Sequence, residues 1–198
     1  MDIIVKNLGP TDYEKTWEDM KDFVSSNPEN DEIWVTEHQP IFTTGLNKKN
    51  SSVPETVIPH LFVDRGGKIT YHGPGQLIIY LLINLLKNNL TIRQLVDIIE
   101  KSIIELLSIY SIKNSYSKKD APGVYVSDKK IASIGLRVKN HYTYHGLSLN
   151  IDMDLSPFTL ISPCGFHVLE MTQVSALNKD YNNDIASTLV KLLKLNIK

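Results

Sequence analysis

The feature that most limits what this chain can become is the run from residue 77 to 86. In it Leu77, Ile78, Ile79, Tyr80, Leu81, Leu82 and Ile83 follow one another without a charge. At about ten residues, with Asn84 inside it, the run is too short to cross a bilayer. Residues 76–84 instead read as a strand that is apolar on both faces, and such a strand belongs inside a sheet covered on both sides. The 198 residues of the chain supply material for one substantial core around it.

The covering layers are legible on either side. Thr91 caps a helix over residues 91–110, and Ile92, Leu95, Val96, Ile99, Ile103, Leu106 and Leu107 form one stripe along it. Thr11 or Asp12 starts a second helix, with Trp17, Met20, Phe23 and Val24 near helical spacing and Asn27-Pro28 as its stop. A third closes the chain over residues 180–195. Strands are expected over 3–8, ended by Gly9-Pro10, and over 33–37 and 61–64. A three-strand meander follows over 123–126, 130–138 and 142–151, with turns at Ser127-Asp128 and Lys139-Asn140. The polar stretch 39–59 reads as a long surface loop. Strands and helices without regular alternation point to an α+β (mixed α/β) fold in a single domain over 1–198, a mixed β-sheet flanked by helices.

A net charge of −1 gives no global basic field to attract nucleic acid. Lys118, Lys119, Lys129, Lys130, Arg137 and Lys139 cluster in sequence and suit either an acidic protein partner or a solvated face. One cysteine excludes an intramolecular disulfide and fits a reducing compartment. Residues 1–10 carry Asp2, Lys6 and a Gly-Pro break, unlike a secretory segment. A cytoplasmic protein with no membrane contact is expected, and a monomer.

Cys164 sits in Ser162-Pro163-Cys164-Gly165. A lone cysteine is commonly a small buried hydrophobe, but proline and glycine on either side set this one on a turn, where Gly165 lets backbone approach a ligand. A nucleophilic role would need a positive neighbour to favour the thiolate. Lys130 opens the run Lys130-Ile131-Ala132-Ser133-Ile134-Gly135 and either points to water or turns its ammonium into a site. The densest unusual segment is Arg65-Gly66-Gly67-Lys68-Ile69-Thr70-Tyr71-His72-Gly73-Pro74-Gly75-Gln76. Its glycines imply close-approach backbone interleaved with hydrogen-bonding side chains, a ligand-lining loop that lacks the P-loop pattern. His145-Gly146-Leu147-Ser148-Leu149-Asn150 repeats the His-Gly pairing. Zinc-type spacings are absent, and no metal site is expected.

Together these segments resemble the octanoyl-[acyl carrier protein]–protein N-octanoyltransferases, also called the lipoate-protein ligase B family. The matching text is residues 65–76, Pro122-Gly123-Val124-Tyr125, residues 130–135, residues 145–150, Asp154-Leu155-Ser156-Pro157-Phe158 and Pro163-Cys164-Gly165, with residues 37–45 as an upstream block. The resemblance implies the fold of lipoate ligases and of the catalytic domain of biotin ligases. It also implies passage of an octanoyl group from octanoyl-acyl carrier protein to a lysine on lipoyl domains of 2-oxoacid dehydrogenases or on the glycine cleavage H protein. That transfer is the first step of endogenous lipoate biosynthesis, without a cofactor of the enzyme's own. Cys164 would be the thioester-forming nucleophile, and Lys130 would lower its pKa. The acyl pocket would be lined by Arg65, Gly66, Gly67, Lys68, Ile69, Thr70, Tyr71 and His72, by Ser133, Ile134 and Gly135, and by Gly146, Leu147 and Ser148. Oxyanion donors are expected at the Gly165 N–H and in residues 73–75. The rival readings are an ATP-dependent lipoate or biotin ligase, disfavoured because adenylate chemistry needs no thiol, and a non-catalytic acyl-carrier-binding protein.

Overall fold

A computed structural model describes residues 3–47, 53–161, 169–182 and 184–198. The apolar run becomes β6 (Gln76–Leu82), third in a seven-stranded sheet. Its neighbours on one side are β2 (Glu32–His38) and the edge strand β1 (Ile4–Thr11). On the other side stand β10 (Tyr142–Asn150), β9 (Lys129–Lys139), β8 (Gly123–Val126) and the second edge, β7 (Ser115–Ser117). Only β1 and β2 run parallel in this sheet, so it is mixed, as expected.

Both faces of β6 are covered, as its composition requires. Ile79, Leu81 and Ile83 face α2 (Ile92–Ile109) and α4 (Ile185–Ile197) in the larger core, with Leu95, Ile99, Leu106, Leu189 and Leu193. Ile78, Tyr80 and Leu82 face the other way, where Met20 and Val24 of α1 (Tyr13–Ser25) pack on Trp34, Tyr142 and Tyr144. α1 covers only part of that face. The rest is roofed by a small sheet of β3 (Ile41–Thr44), β4 (His60–Phe62) and β5 (Ile69–His72), and by a 3-10 turn at Ser156–Leu160. Phe42, Ile69, Tyr71, Phe158 and Ile161 form its apolar interior. A one-turn helix, α3 (Val174–Leu177), precedes α4.

The helix starts follow the expected chemistry. The Asp12 carboxylate accepts the Lys15 N–H at 2.9 Å. Thr91 and Gln94 form a capping box, with Gln94 N–H donating to Thr91 Oγ1 and Thr91 N–H to Gln94 Oε1.

Four expectations are corrected. Gly9-Pro10 does not end the first strand, because after a register shift β1 goes on to pair Gly9 with Thr36, Pro10 with Glu37 and Thr11 with His38. The stretch 39–59 is not all loop, because Ile41-Phe42-Thr43-Thr44 is a short strand with Phe42 fully buried. Residues 61–64 yield only the three-residue β4, starting at His60. The β9–β10 turn lies one residue later than Lys139-Asn140: the left-handed pair is Asn140 (φ 50°) and His141 (φ 67°), and Lys139 still pairs with Tyr142. Type I′ two-residue hairpins need positive φ at both central positions, which Ser127 (φ 48°) and Asp128 (φ 64°) also supply between β8 and β9.

Gly75 enters β6 at φ 82°, and a Cβ there would lie 2.0 Å from the carbonyl oxygen of Asp152. That oxygen belongs to backbone, pinned because Ile151 and Asp152 both donate to the Gly75 carbonyl. Gly75→Ala is therefore expected to cost about 2–4 kcal/mol in a urea melt. An unchanged midpoint would contradict this packing.

Candidate active site

The uncovered part of the sheet face encloses a cavity of about 120 Å³ between the large and small sheets. Most of the residues expected to line a site meet there. From the glycine-rich segment come Arg65, Lys68, Ile69, Thr70 and His72; from β9, Lys130, Ser133, Ile134 and Gly135; from β10, Gly146, Leu147 and Ser148. Gly66, Gly67 and Tyr71 are not among the lining residues. The Tyr71 ring turns to the roof side of β5 and packs on Phe42 and Phe158, while Gly66 ties the loop to β9 by donating to the Leu136 carbonyl at 3.0 Å. Part of the glycine-rich segment is thus strand rather than loop, and alternation along β5 sends Thr70 and His72 to the cavity.

Cys164, with residues 162–168 as a whole, lies outside the described residues. The described neighbours of that segment, Ile161 and Leu169, both line the cavity. Beyond it the chain pairs with β9 at Lys130, whose N–H donates to the Glu170 carbonyl at 2.8 Å and whose carbonyl accepts the Thr172 N–H at 2.9 Å.

Lys130 is half-buried and does not simply point to water. Its Nζ donates to the Pro122 carbonyl at 2.9 Å and lies 5.4 Å from the Tyr125 ring centre. Gly123 makes room for it. A Cβ at Gly123, where φ is 135°, would stand 2.5 Å from Lys130 Cε and 2.3 Å from the Ala132 carbonyl oxygen. The buried carboxylate of Glu100 on α2 holds Gly123 in turn by accepting its N–H at 2.9 Å. Glu100 is an acidic residue on the apolar side of α2, and in sequence it gave no signal of this role.

The other end of the cavity is polar and densely bonded. Arg65 is buried, and its guanidinium donates to the Thr43 carbonyl at 2.7 Å, to Thr43 Oγ1 at 2.9 Å and to its neighbour Gly66 O at 3.0 Å. Tyr13 and Tyr80 complete this wall. Tyr80 is one position from Ile79 and faces the opposite side, so alternation along β6 was the signal that could have found it. His38, which carries no motif, bonds the Tyr80 hydroxyl through Nε2 at 2.6 Å and the Thr11 carbonyl through Nδ1 at 2.9 Å. His145 bonds Asp64 through Nε2 at 3.0 Å.

These histidines are held neutral. Burial lowers the pKa of His38 and of His145, the latter against the pull of Asp64. His72 is pushed down to about 3, first by burial, then by His38 and the Arg65 cation, against its bond to Gln76 Oε1 at 2.8 Å. Among the described residues no group of three or more His, Cys, Asp or Glu is placed to hold a metal ion. The expected oxyanion donors in residues 73–75 are reduced by one, since the Gly75 N–H donates to Glu37 Oε2 at 2.9 Å.

The fold as a whole resembles those of solved lipoate and biotin protein ligases. A lipoate-protein ligase A bound with ATP matches all of this chain and 86% of its own, with a TM-score of 0.82 at 11% identity. The biotin protein ligase of Aquifex aeolicus in complex with biotin and ATP covers 99% of this chain and 70% of its own, with a TM-score of 0.61 at 13% identity. At these identities the likeness is one of fold. The family is shown by sequence: residues 13–192 match the lipoyl protein ligase A/B catalytic domain. The octanoyltransferase of Shewanella frigidimarina is 50% identical over 176 residues, 87% of this chain and 81% of that protein. That of Vesicomyosocius okutanii is 48% identical over 194 residues, 96% of this chain and 95% of the relative. The chain belongs to the lipoyl protein ligase A/B family, among its octanoyltransferases.

Because the folded pKa of His72 lies below the usual histidine value, the native state gives up its proton relative to the unfolded chain. His72 therefore stabilises the fold fully above about pH 6.5, and that contribution is lost as the pH falls toward 3. Its ring resonances are expected not to titrate between about pH 8 and about pH 5 in an NMR series. A midpoint near 6.5 would contradict the burial described.

Proposed function

We propose that the chain moves an octanoyl group from octanoyl-acyl carrier protein to a lysine of a lipoyl domain or of the glycine cleavage H protein, through a thioester on Cys164. In the first half-reaction the Cys164 thiolate attacks the carrier thioester. The new C–S bond forms to give a tetrahedral oxyanion, whose collapse breaks the old C–S bond, and the phosphopantetheine thiol leaves with the proton that the Cys164 thiol gave up. In the second half-reaction the amine of the acceptor lysine attacks octanoyl-Cys164, the amide forms, the thiolate is released and the ammonium proton passes to a base. Thioester exchange is nearly balanced and aminolysis runs downhill, so ATP has no part to play.

The observation that carries this reading is that Lys130 lines the same cavity as Ile161 and Leu169, which bracket Cys164 in sequence. A cation near a thiol favours its thiolate. Oxyanion donors in such a site contribute roughly 3–4 kcal/mol each to the barrier. Burying the six or seven methylenes of an octyl chain contributes roughly 5 kcal/mol to its recognition. Ile78, Ile134, Leu147 and Phe158 supply the apolar wall such a chain needs.

The reading also assigns the chain to the cytoplasm, where acyl carrier protein and lipoyl domains are found. Among the described residues no helix is long and apolar enough to cross a membrane. The lysines expected to meet an acidic carrier are partly engaged: Lys118 pairs with Asp128 at 3.5 Å and Lys129 with Glu170 at 2.7 Å. These exposed pairs contribute little and would yield readily to an acidic partner.

Incubation with octanoyl-carrier protein in the absence of ATP is expected to give an octanoyl adduct by intact mass, absent in Cys164→Ala and formed roughly a hundredfold more slowly in Lys130→Gln. No adduct on the wild-type protein would overturn the transferase reading. Acylation of a lipoyl domain that depends on ATP would assign the chain to ligase chemistry instead.

A further inference from the structure

The peptide unit between Pro122 and Gly123 is gripped on both edges. Its carbonyl oxygen accepts the Lys130 ammonium at 2.9 Å, and its N–H donates to Glu100 Oε1 at 2.9 Å. No peptide bond among the described residues is cis, so this C=O and N–H point in opposite directions from one rigid plane. Lys130, a cavity-lining residue, holds one edge, and Glu100 holds the other from α2.

Glu100 sits where the helix pattern calls for an apolar residue. It is 4% exposed, on the side of α2 that buries Ile99, Ile103 and Leu107. Among the described residues no lysine, arginine or histidine pairs with it. A leucine or methionine there would be buried with no polar group to satisfy. One hydrogen bond offsets only part of the cost of taking a carboxyl group out of water. What the side chain contributes is therefore to be sought in what its bond holds, which is a single peptide unit.

The strands beside that peptide are shaped to bring Lys130 to it. Val124 pairs with Ala132 but Tyr125 pairs with Lys130, so Ile131 is an extra residue that makes a bulge in β9. Ile131 and Ala132 both join the large core, whereas Lys130 and Ser133 both line the cavity. Strict alternation from Ser133 would turn residue 130 into the core, and the bulge turns it to the cavity face instead. Gly123 leaves the space the side chain crosses, since a Cβ there would stand 2.5 Å from Lys130 Cε. Bulge and glycine aim the lysine, but its long flexible stem leaves the ammonium to be placed by what it binds.

We propose that Glu100 is a positioning residue for acyl transfer: it fixes the Pro122–Gly123 peptide, whose carbonyl places the Lys130 ammonium at the cavity. Engaging the N–H on one edge also makes the carbonyl on the other a stronger acceptor. Glu100 does not line the cavity and acts through Lys130. The inference rests on the acyl-transfer reading above, in which Lys130 takes part, and alters no step of it.

A cycle of variants, read by the initial rate of octanoyl adduct formation from octanoyl-carrier protein without ATP, tests the idea. Glu100→Met keeps an unbranched side chain of similar length but offers no oxygen to Gly123. It is expected to lower the rate about tenfold, within the roughly hundredfold that a 1 Å misplacement can cost. Glu100→Gln keeps an oxygen for the Gly123 N–H and is expected to stay within about twofold of the wild type. In a Lys130→Gln background Glu100→Met is expected to slow the reaction no further, because both changes break one line of contacts. Should Glu100→Met fail to fold, Glu100→Asp, which draws the carboxyl group back by one methylene, takes its place in the cycle. Three outcomes would overturn this inference and leave the acyl-transfer reading standing: Glu100→Met as fast as the wild type, Glu100→Gln as slow as Glu100→Met, or the same tenfold fall with and without Lys130. No adduct on the wild-type protein would overturn that reading and the inference with it.

Discussion

The site depends on a backbone pairing that no motif announces: the two hydrogen bonds between Lys130 and the chain at Glu170 and Thr172. They fasten the polypeptide just beyond residues 162–168 to the strand that carries Lys130. The other end of that segment is anchored by Ile161, which packs with Phe158 in the interior of the small sheet. Without the pairing at Lys130, the blocks around residues 130 and 164 would be no more than neighbours in a list of motifs.

A second constraint is electrostatic. One wall of the cavity gathers a buried cation, two histidines and two tyrosines, with His38 behind Tyr80, yet it stays orderly because the charges are few. The Arg65 guanidinium is solvated by Thr43 and Gly66 oxygens. Burial lowers the histidines and drives the Tyr80 phenol well above its ordinary range. A wall whose one cation is solvated by protein oxygens and whose other groups are neutral can bound an apolar chain without drawing water in behind it.

Much of the fold could be read from residues alone, and the exceptions have physical reasons. The stripe of α2, the doubly buried β6 and the meander are long patterns, and long patterns survive local noise. β3 did not survive, because its four residues sit between Pro40 and Gly45 in a polar stretch. β5 was hidden for the same reason among glycines. The β9–β10 turn lies one residue later than its sequence suggests, because Lys139 is polar and turn-like yet still pairs in the ladder. The cavity lining was legible where it fell inside matched blocks, as with Arg65, Ser133 and Gly146. Tyr13 and Tyr80 were not, since a helix start and a buried strand meet only through the tertiary fold, and His145 stands in a matched block without being assigned to the lining. Cys164 was read from sequence and lies outside the described residues, so its part in the site stands as a proposal.

The central claim is that Lys130 tunes the Cys164 thiol, and the pH dependence of cysteine alkylation tests it without any substrate. The protein has one cysteine, so the rate with iodoacetamide reports Cys164 alone. The account predicts an apparent thiol pKa well below about 8.5 in the wild type, returning toward that value in Lys130→Gln. An ordinary value near 8.5 in both proteins would contradict it.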